Sequence, residues 1–323
     1  MDVPRLTLGA LLALTACSPD GQDGSASRGG ADRQAVSGEP VSQVECEAVP
    51  TGQSSVPAGA YRVGTNARRG EEGPPRRVTT DGFAIDSHEV TNAQFAGFVA
   101  DTGYVTVAER TPDPADYPEI DPAFLVPGSA VFGVSLERGG FWWRFVPGAS
   151  WRAPYGPGST TDGLDRHPVV HVAYEDALAY AHWSQTDLPS ETEWEIAARG
   201  GLEGAEYTWG DEFRPGGEWR ANTWQGPFPA IDIGEDGHQG LAPVGCYEPN
   251  GYGLYDMAGN VWEWTSTPFG AGGNTGTIRG GSYLCAPSYC ARFRPAARQP
   301  QEWDFSASHI GFRTIERVSA EAG

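Results

Sequence analysis

Apolar residues fall at helical spacing in three stretches of the chain, and each stretch carries its own start or stop signal. Phe95, Phe98 and Val99 stand at i, i+3 and i+4 behind Thr91-Asn-Ala-Gln94, a capping box, and Gly103 ends the run. A second helix is predicted from Glu175 to about Ser184. A third opens with Pro189-Ser190, takes Glu193 as capping partner, carries Trp194, Ile196 and Ala197, and stops at Gly200-Gly201. Between and after them lie short alternating or aromatic segments that read as strands: Val169 to Val172, Tyr252 to Tyr255, Val261 to Trp264 and Ile310 to Ile315. Few long elements and many loops predict an α+β domain held by side-chain packing and by ions. No composition break or repeat divides residues 46–323, so they form one domain.

The first 45 residues follow other rules. Arg5 precedes the apolar run Leu6 to Ala16, too short to span a bilayer but of the length of a signal-peptide core. Leu14-Thr15-Ala16-Cys17 matches a bacterial lipobox, which makes 1–16 a lipoprotein signal peptide and Cys17 the lipid-bearing residue. Residues 17–45 contain almost no large apolar side chains and read as a flexible tether. The expectation is an exported bacterial lipoprotein, anchored through Cys17 alone, with its domain on the periplasmic or extracellular face.

Composition narrows the function. Hydrophobic residues make up 39% of 323, with 11 Trp, enough for a sizeable core, and 44 Gly with 26 Pro make the chain turn-rich. A formal net charge of −20 repels nucleic acid and anionic lipid surfaces, so neither is an expected partner. It suits a cationic partner or bound metal, and equally a solvated surface.

Two of the five cysteines, Cys285 and Cys290, share one short segment, Arg279-Gly-Gly-Ser-Tyr-Leu-Cys-Ala-Pro-Ser-Tyr-Cys-Ala-Arg-Phe-Arg294. A C-x4-C pair in an exported chain can be a local disulfide. It lacks the C-x2-C spacing and second ligand pair of a structural zinc site. Two thiolates without imidazole support also suit Cu(I), which prefers sulfur to oxygen, and thiol redox chemistry is a third option.

Several motifs resemble those of the formylglycine-generating enzymes, or sulfatase-modifying factors. They are Leu188-Pro-Ser-Glu-Thr-Glu-Trp-Glu-Ile-Ala-Ala-Arg199, Asn250-Gly-Tyr-Gly-Leu-Tyr-Asp-Met-Ala-Gly-Asn-Val-Trp-Glu-Trp264, Arg279-Gly-Gly-Ser-Tyr-Leu-Cys285 and Gly311-Phe-Arg313. Gly59-Ala-Tyr-Arg-Val-Gly64 and Asp86-Ser-His-Glu-Val-Thr-Asn92 extend the match over residues 50–316. The motifs before Cys285 are shared with non-oxidase members and speak for fold only. The cysteine pair in its Gly-Gly-Ser-Tyr setting narrows the match to the oxidases.

The resemblance implies a C-type-lectin-like fold and an oxidase that uses Cu(I) and molecular oxygen. Its substrate is an unfolded sulfatase chain, in which a cysteine of a Cys-x-Pro-x-Arg motif becomes formylglycine. By position, Cys285 and Cys290 hold the copper, Ser282 helps hold oxygen, and Trp262 and Tyr289 line the site. Read without the resemblance, Ser282 is a turn serine and one of Trp262 and Trp264 is core. The family's structural Ca²⁺ sites match Asn222, Thr223, Asp236 and His238, with Thr223 and His238 giving backbone carbonyls, and Asp256, Gly259, Val261 and Glu263. Without the resemblance these acids cap turns and face water.

Two positions depart from the family. His309 replaces the usual asparagine beside the substrate groove, and Thr314 stands where animal relatives have a disulfide cysteine. Cys46 and Cys246 remain and can pair in an oxidising compartment. The alternative function is a catalytically silent binding or assembly module on the same fold, expected to lack the cysteine pair. An iron-dependent sulfoxide synthase ranks third, since the helical domain that bears its histidines is not expected here.

Overall fold

The computed structural model describes residues 46–49, 51–65, 69–133 and 143–317. The expected signal peptide, Cys17 and the tether lie outside the described residues. No helix among the described residues is long and apolar enough to cross a membrane.

The three predicted helices are present, at α1 (Asn92–Thr102), α2 (Tyr174–Trp183) and α3 (Glu191–Arg199). Thr91 and Ser190 form the capping boxes with Gln94 and Glu193, and Gly103 and Gly200 close their helices in the left-handed conformation. At α2 the cap is reversed: Ala173 has no side-chain oxygen, and its N–H donates to Asp176 Oδ2 at 2.8 Å.

Strands are short. β1 (Gln53–Val56), β4 (Phe83–Asp86) and β11 (Ile315–Arg317) make an antiparallel sheet in the order β1-β4-β11. β7 (Trp262–Pro268), β8 (Thr275–Arg279), β9 (Arg298–Glu302) and β10 (Ile310–Gly311) make a second, ordered β10-β7-β8-β9. β2 (Gly59–Val63) with β3 (Arg76–Thr80), and β5 (Gly128–Phe132) with β6 (Trp143–Pro147), are two-stranded ribbons. β10 pairs parallel to β7, Ile310 opposite Trp262 and Gly311 opposite Glu263, which carries His309 to the mouth of β7.

Three strand expectations are corrected. Val169–Val172 is an extended core segment without strand pairing; the adjoining Pro168 bridges Thr91, and His171 turns to φ 61°. Its apolar run reflects burial. Tyr252–Tyr255 is a turn held by Asn250 Oδ1, which accepts from the Tyr252 and Leu254 N–H groups at 2.9 and 3.2 Å. Ile310–Ile315 is split because its two ends join different sheets.

One core cluster packs α1 and α2 against the second sheet, with Phe95, Phe98, Tyr180 and Phe312 in ring contact. Another packs Trp194, Ile196 and Ala197 of α3 against Phe83, Ile85 and Ile315. Each fully buried large apolar side chain contributes about 1.5–3 kcal/mol. Trp194 joins the clusters by donating Nε1–H to Glu263 Oε2 at 2.7 Å.

Candidate active site

The site is built on the exit from β8. Arg279 at its end is buried and donates to Glu195 Oε2 at 2.8 Å and to Pro295 O at 2.6 Å, while Glu195 Oε1 also accepts from Arg199 and from Gly64 N. Helix α3 therefore fixes where β8 stops. Gly281 follows at φ 76°, so close to the next segment that a Cβ there would lie 2.9 Å from Phe293 N. That approach turns Ser282 inward: it is fully buried, its carbonyl accepts from Cys285 N at 2.9 Å, and its Oγ accepts from Leu284 N at 3.3 Å.

Cys285 and Cys290 bracket a tight loop in which Ala286 and Tyr289 exchange backbone hydrogen bonds at 2.8 and 3.0 Å. Cys290 (φ 69°) and Ala291 (φ 50°) adopt the left-handed conformation that side chains disfavour, a strain that persists only where surroundings enforce it. They do so here. Arg69 donates to Cys290 O at 2.8 Å, and Arg292 and Arg294 pair with Glu71 and Glu72. Both thiols are unbridged and buried, 1% and 5% exposed, so the local disulfide is not formed.

The two cysteines share a cavity of about 20 Å³ with Ser282, Trp262, Tyr289 and His309, so the structure brings together every residue expected at the catalytic centre. Trp262 is 2% exposed, and Trp264 is core, its Nε1 donating to Val172 O at 3.0 Å. Four further residues line it that were not expected there: Leu284, beside Cys285, and Trp143, Phe228 and Gln299. Phe228 stacks on Tyr289 with ring centroids 4.0 Å apart, and Trp143 lies 4.6 Å from the His309 ring. Trp143 comes from the β5–β6 ribbon and Phe228 from a turn, both far away in sequence, and Gln299 from β9, where a lone aromatic or amide carries no signal. His309 is 6% exposed, its Nδ1 is buried without a hydrogen-bond partner, and burial, with the nearby His171, pushes its pKa down to about 3. The ring is therefore neutral at ordinary pH. An open cleft of about 300 Å³ abuts the cysteine loop at Ala286, Pro287 and Ser288, with Phe213, Trp219 and Trp224 on its other side.

The chemistry of the cavity fits a soft ion. Two unbridged sulfur donors face a small space walled by aromatic rings, the donor set Cu(I) prefers. Of the expected calcium sets, the one with Asp256 and Glu263 fits through charge. Asp256 and Glu263 are buried with Glu89, three carboxylates around the single guanidinium of Arg313, and Glu89 Oε2 has no partner. Burial first, and then the neighbouring acid charges, raise the pKa of Glu89, and burial pushes Asp256 up to about 6. A divalent cation would relieve that excess. Glu89 sits inside the Asp86–Asn92 motif, where nothing in the sequence marks it as the third acid of the group. In the other set, burial pushes Asp236 up to about 6; its carboxylate accepts from Thr223 N at 2.9 Å and His238 N at 3.1 Å. Asn222 is tied instead to Gly240 O and Asn260 Oδ1, at 2.9 and 3.0 Å.

The profile of the sulfatase-modifying factor enzyme 1-like domain matches residues 39–318. The chain is 49% identical to a formylglycine-generating enzyme of Mycobacterium tuberculosis, over 80% of this chain and 96% of that one. It is 42% identical to a mouse protein named inactive C-alpha-formylglycine-generating enzyme 2, over 80% and 83% of the two chains. Among solved structures it resembles PvdO from Pseudomonas aeruginosa, with a TM-score of 0.56 at 24% identity over 82% and 94% of the chains, a likeness of fold.

Proposed function

The chain belongs to the sulfatase-modifying factor family, and on that premise we propose that it is the active oxidase, converting a sulfatase cysteine to formylglycine with molecular oxygen. One observation carries the reading against the silent-module alternative: Cys285 and Cys290 stand unbridged and buried on one small cavity. A module that only binds is expected to lack the pair.

Cys285 and Cys290 would hold Cu(I), which when bound supplies the one-electron chemistry that oxidation of a thiol by dioxygen requires. The residues around it do the rest. The cleft beside Ala286, Pro287 and Ser288 receives an extended Cys-x-Pro-x-Arg segment, with Phe213, Trp219 and Trp224 offering apolar surface to the proline. An unfolded sulfatase chain meets this requirement, because the segment must lie open to enter. Holding the substrate thiol against the cavity makes the encounter intramolecular. Trp262, Tyr289 and Phe228 exclude bulk water, and Ser282 places a hydroxyl on the wall for oxygen. His309 presents a neutral ring edge to the entering peptide.

Turning –CH2–SH into –CHO with one dioxygen releases sulfide and water and draws two electrons from outside, so the assay includes a thiol reductant. The test is mass spectrometry of a Cys-x-Pro-x-Arg peptide incubated with copper-loaded protein, beside a Cu(I) titration against a competing chelator. Wild type should take up one Cu(I) and form a hydrazide-reactive aldehyde; Cys285→Ser and Cys290→Ser should each weaken copper binding and lose most turnover. A folded, reduced wild type that binds no copper and forms no aldehyde would leave the silent module standing.

A further inference from the structure

A second cysteine pair lies away from this site. Cys46 and Cys246 are joined in a disulfide with Cα atoms 5.1 Å apart. His238 points its ring at them: Nε2 lies 3.7 Å from Cys46 Sγ. The ligand atoms of the three residues all fall within 4.8 Å of one another, and among the described residues no other group of three or more histidines, cysteines or acids is gathered so tightly. His238 is 2% exposed, and its Nδ1 is buried without a hydrogen-bond partner, so the imidazole is desolvated with one nitrogen unsatisfied and the other turned to sulfur. Only its backbone has a part in the expected calcium set.

The distances suit a particular chemistry. A tetrahedral ion with metal–sulfur bonds near 2.3 Å and metal–nitrogen bonds near 2.0 Å has a nitrogen-to-sulfur edge of about 3.5 Å and a sulfur-to-sulfur edge of about 3.8 Å. The observed imidazole-to-sulfur distance of 3.7 Å is already close to the first edge. Side-chain rotation of two cysteines whose Cα atoms are 5.1 Å apart can supply the second. The backbone needs no rearrangement, because Arg166 pins it by donating to Cys46 O and Glu47 O, both at 2.8 Å.

We propose that Cys46, Cys246 and His238 form a redox-gated site for one Zn²⁺-type cation, closed while the disulfide stands and opened by a dithiol reductant. Reduction transfers two electrons and two protons from the dithiol to the S–S bond, giving two thiols and the reductant's own disulfide. Metal binding then displaces both thiol protons, and the cation takes two thiolates, one imidazole and, at the half-buried cysteine edge, one solvent molecule. Residue 46 is thus fastened to residue 246 in either state, by a covalent bond under oxidising conditions and by a metal under reducing ones. The site is independent of the copper reading.

The test uses the full chain carrying Cys17→Ser, Cys285→Ser and Cys290→Ser, which leaves Cys46 and Cys246 as its only cysteines. After phosphine reduction, Co²⁺ should bind at one equivalent, with thiolate charge-transfer absorption and the intense visible bands of tetrahedral cobalt, and Zn²⁺ should bleach them. The unreduced chain should show neither. Adding His238→Ala should weaken cobalt binding at least tenfold while leaving far-ultraviolet circular dichroism and reoxidation to the disulfide intact. A tetrahedral spectrum that is absent from the reduced, folded chain, present without reduction, or unaffected by His238→Ala overturns the proposal. So does a reduced chain that unfolds and is not refolded by Zn²⁺.

Discussion

Arg313 grips Glu263 with two parallel hydrogen bonds, Nε to Oε2 and Nη2 to Oε1, both at 2.8 Å, and neither side chain touches solvent. The same guanidinium reaches Asp86 O and Tyr255 O at 3.1 and 3.0 Å, so one residue ties β4, the Tyr252–Tyr255 turn and β7 together.

Removing it should therefore be costly. Arg313→Leu leaves Glu263 buried beside Asp256 and Glu89 without its counter-charge, a loss of about 3–5 kcal/mol. Urea denaturation measures it. A loss under about 1 kcal/mol would mean that the carboxylates are neutralised some other way.

Those carboxylates also predict a dependence on calcium. Chelation should lower the melting temperature and added Ca²⁺ should restore it, by about 2.7 kcal/mol at a hundredfold excess over Kd. Asp256→Asn and Asp236→Asn should each reduce the response. Melting that ignores both chelator and calcium removes the calcium assignment.

Acid lability should trace in part to His171. Its Nε2–H donates to Pro154 O at 2.9 Å and its Nδ1 pairs with Ser129 Oγ at 2.8 Å, so the neutral ring has both nitrogens satisfied. Burial pushes its pKa down to about 4. The unfolded chain, with a pKa near 6.5, binds the proton first, so this contribution is whole above about pH 6.5 and fades as pH falls towards 4, reaching about 3 kcal/mol. Asp176, pushed up to about 6 by burial, works in the opposite direction, so the reading is a difference between variants. His171→Asn should show a shallower loss of stability between pH 6.5 and 4 than wild type; parallel curves would contradict the assignment.

His309→Asn should change KM for the peptide about tenfold, the value of one buried hydrogen bond, and leave Cu(I) affinity unchanged. The motive is the unpartnered Nδ1 at the cavity wall. Loss of copper in this variant would make the ring a metal ligand instead.

The lipobox carries the last expectation. Cys17→Ser should move the protein from the membrane to the soluble exported fraction, read by fractionation and blotting. Unchanged membrane association would rule out the lipid anchor.

What the sequence revealed, and what it hid, follows the range of each interaction. Thr91 with Gln94 and Ser190 with Glu193 are neighbours along the chain, so their caps could be read directly. Val169–Val172 misled because an apolar run records burial and says nothing of pairing. That Cys285, Cys290 and Ser282 meet was legible because one short segment carries all three, and Trp262 and Tyr289 came with their motifs. Gln299, Trp143 and Phe228 reach the cavity only through tertiary folding. The pairing of Cys46 with Cys246 was likewise open until the fold brought them together. Thr314 is held by Asp86, a contact equally hidden in the sequence: its N–H and hydroxyl both donate to Asp86 Oδ2 at 2.7 Å.

The link between residues 46 and 246 spans 200 positions, and it decides how the domain bears a pulling force. Tension arriving through the chain ahead of residue 46 passes straight across to residue 246 and bypasses everything between, including β1, whose few backbone hydrogen bonds would otherwise peel open one at a time. The loop from residue 47 to residue 245 is thereby shielded from a load applied ahead of residue 46 for as long as the bond stands.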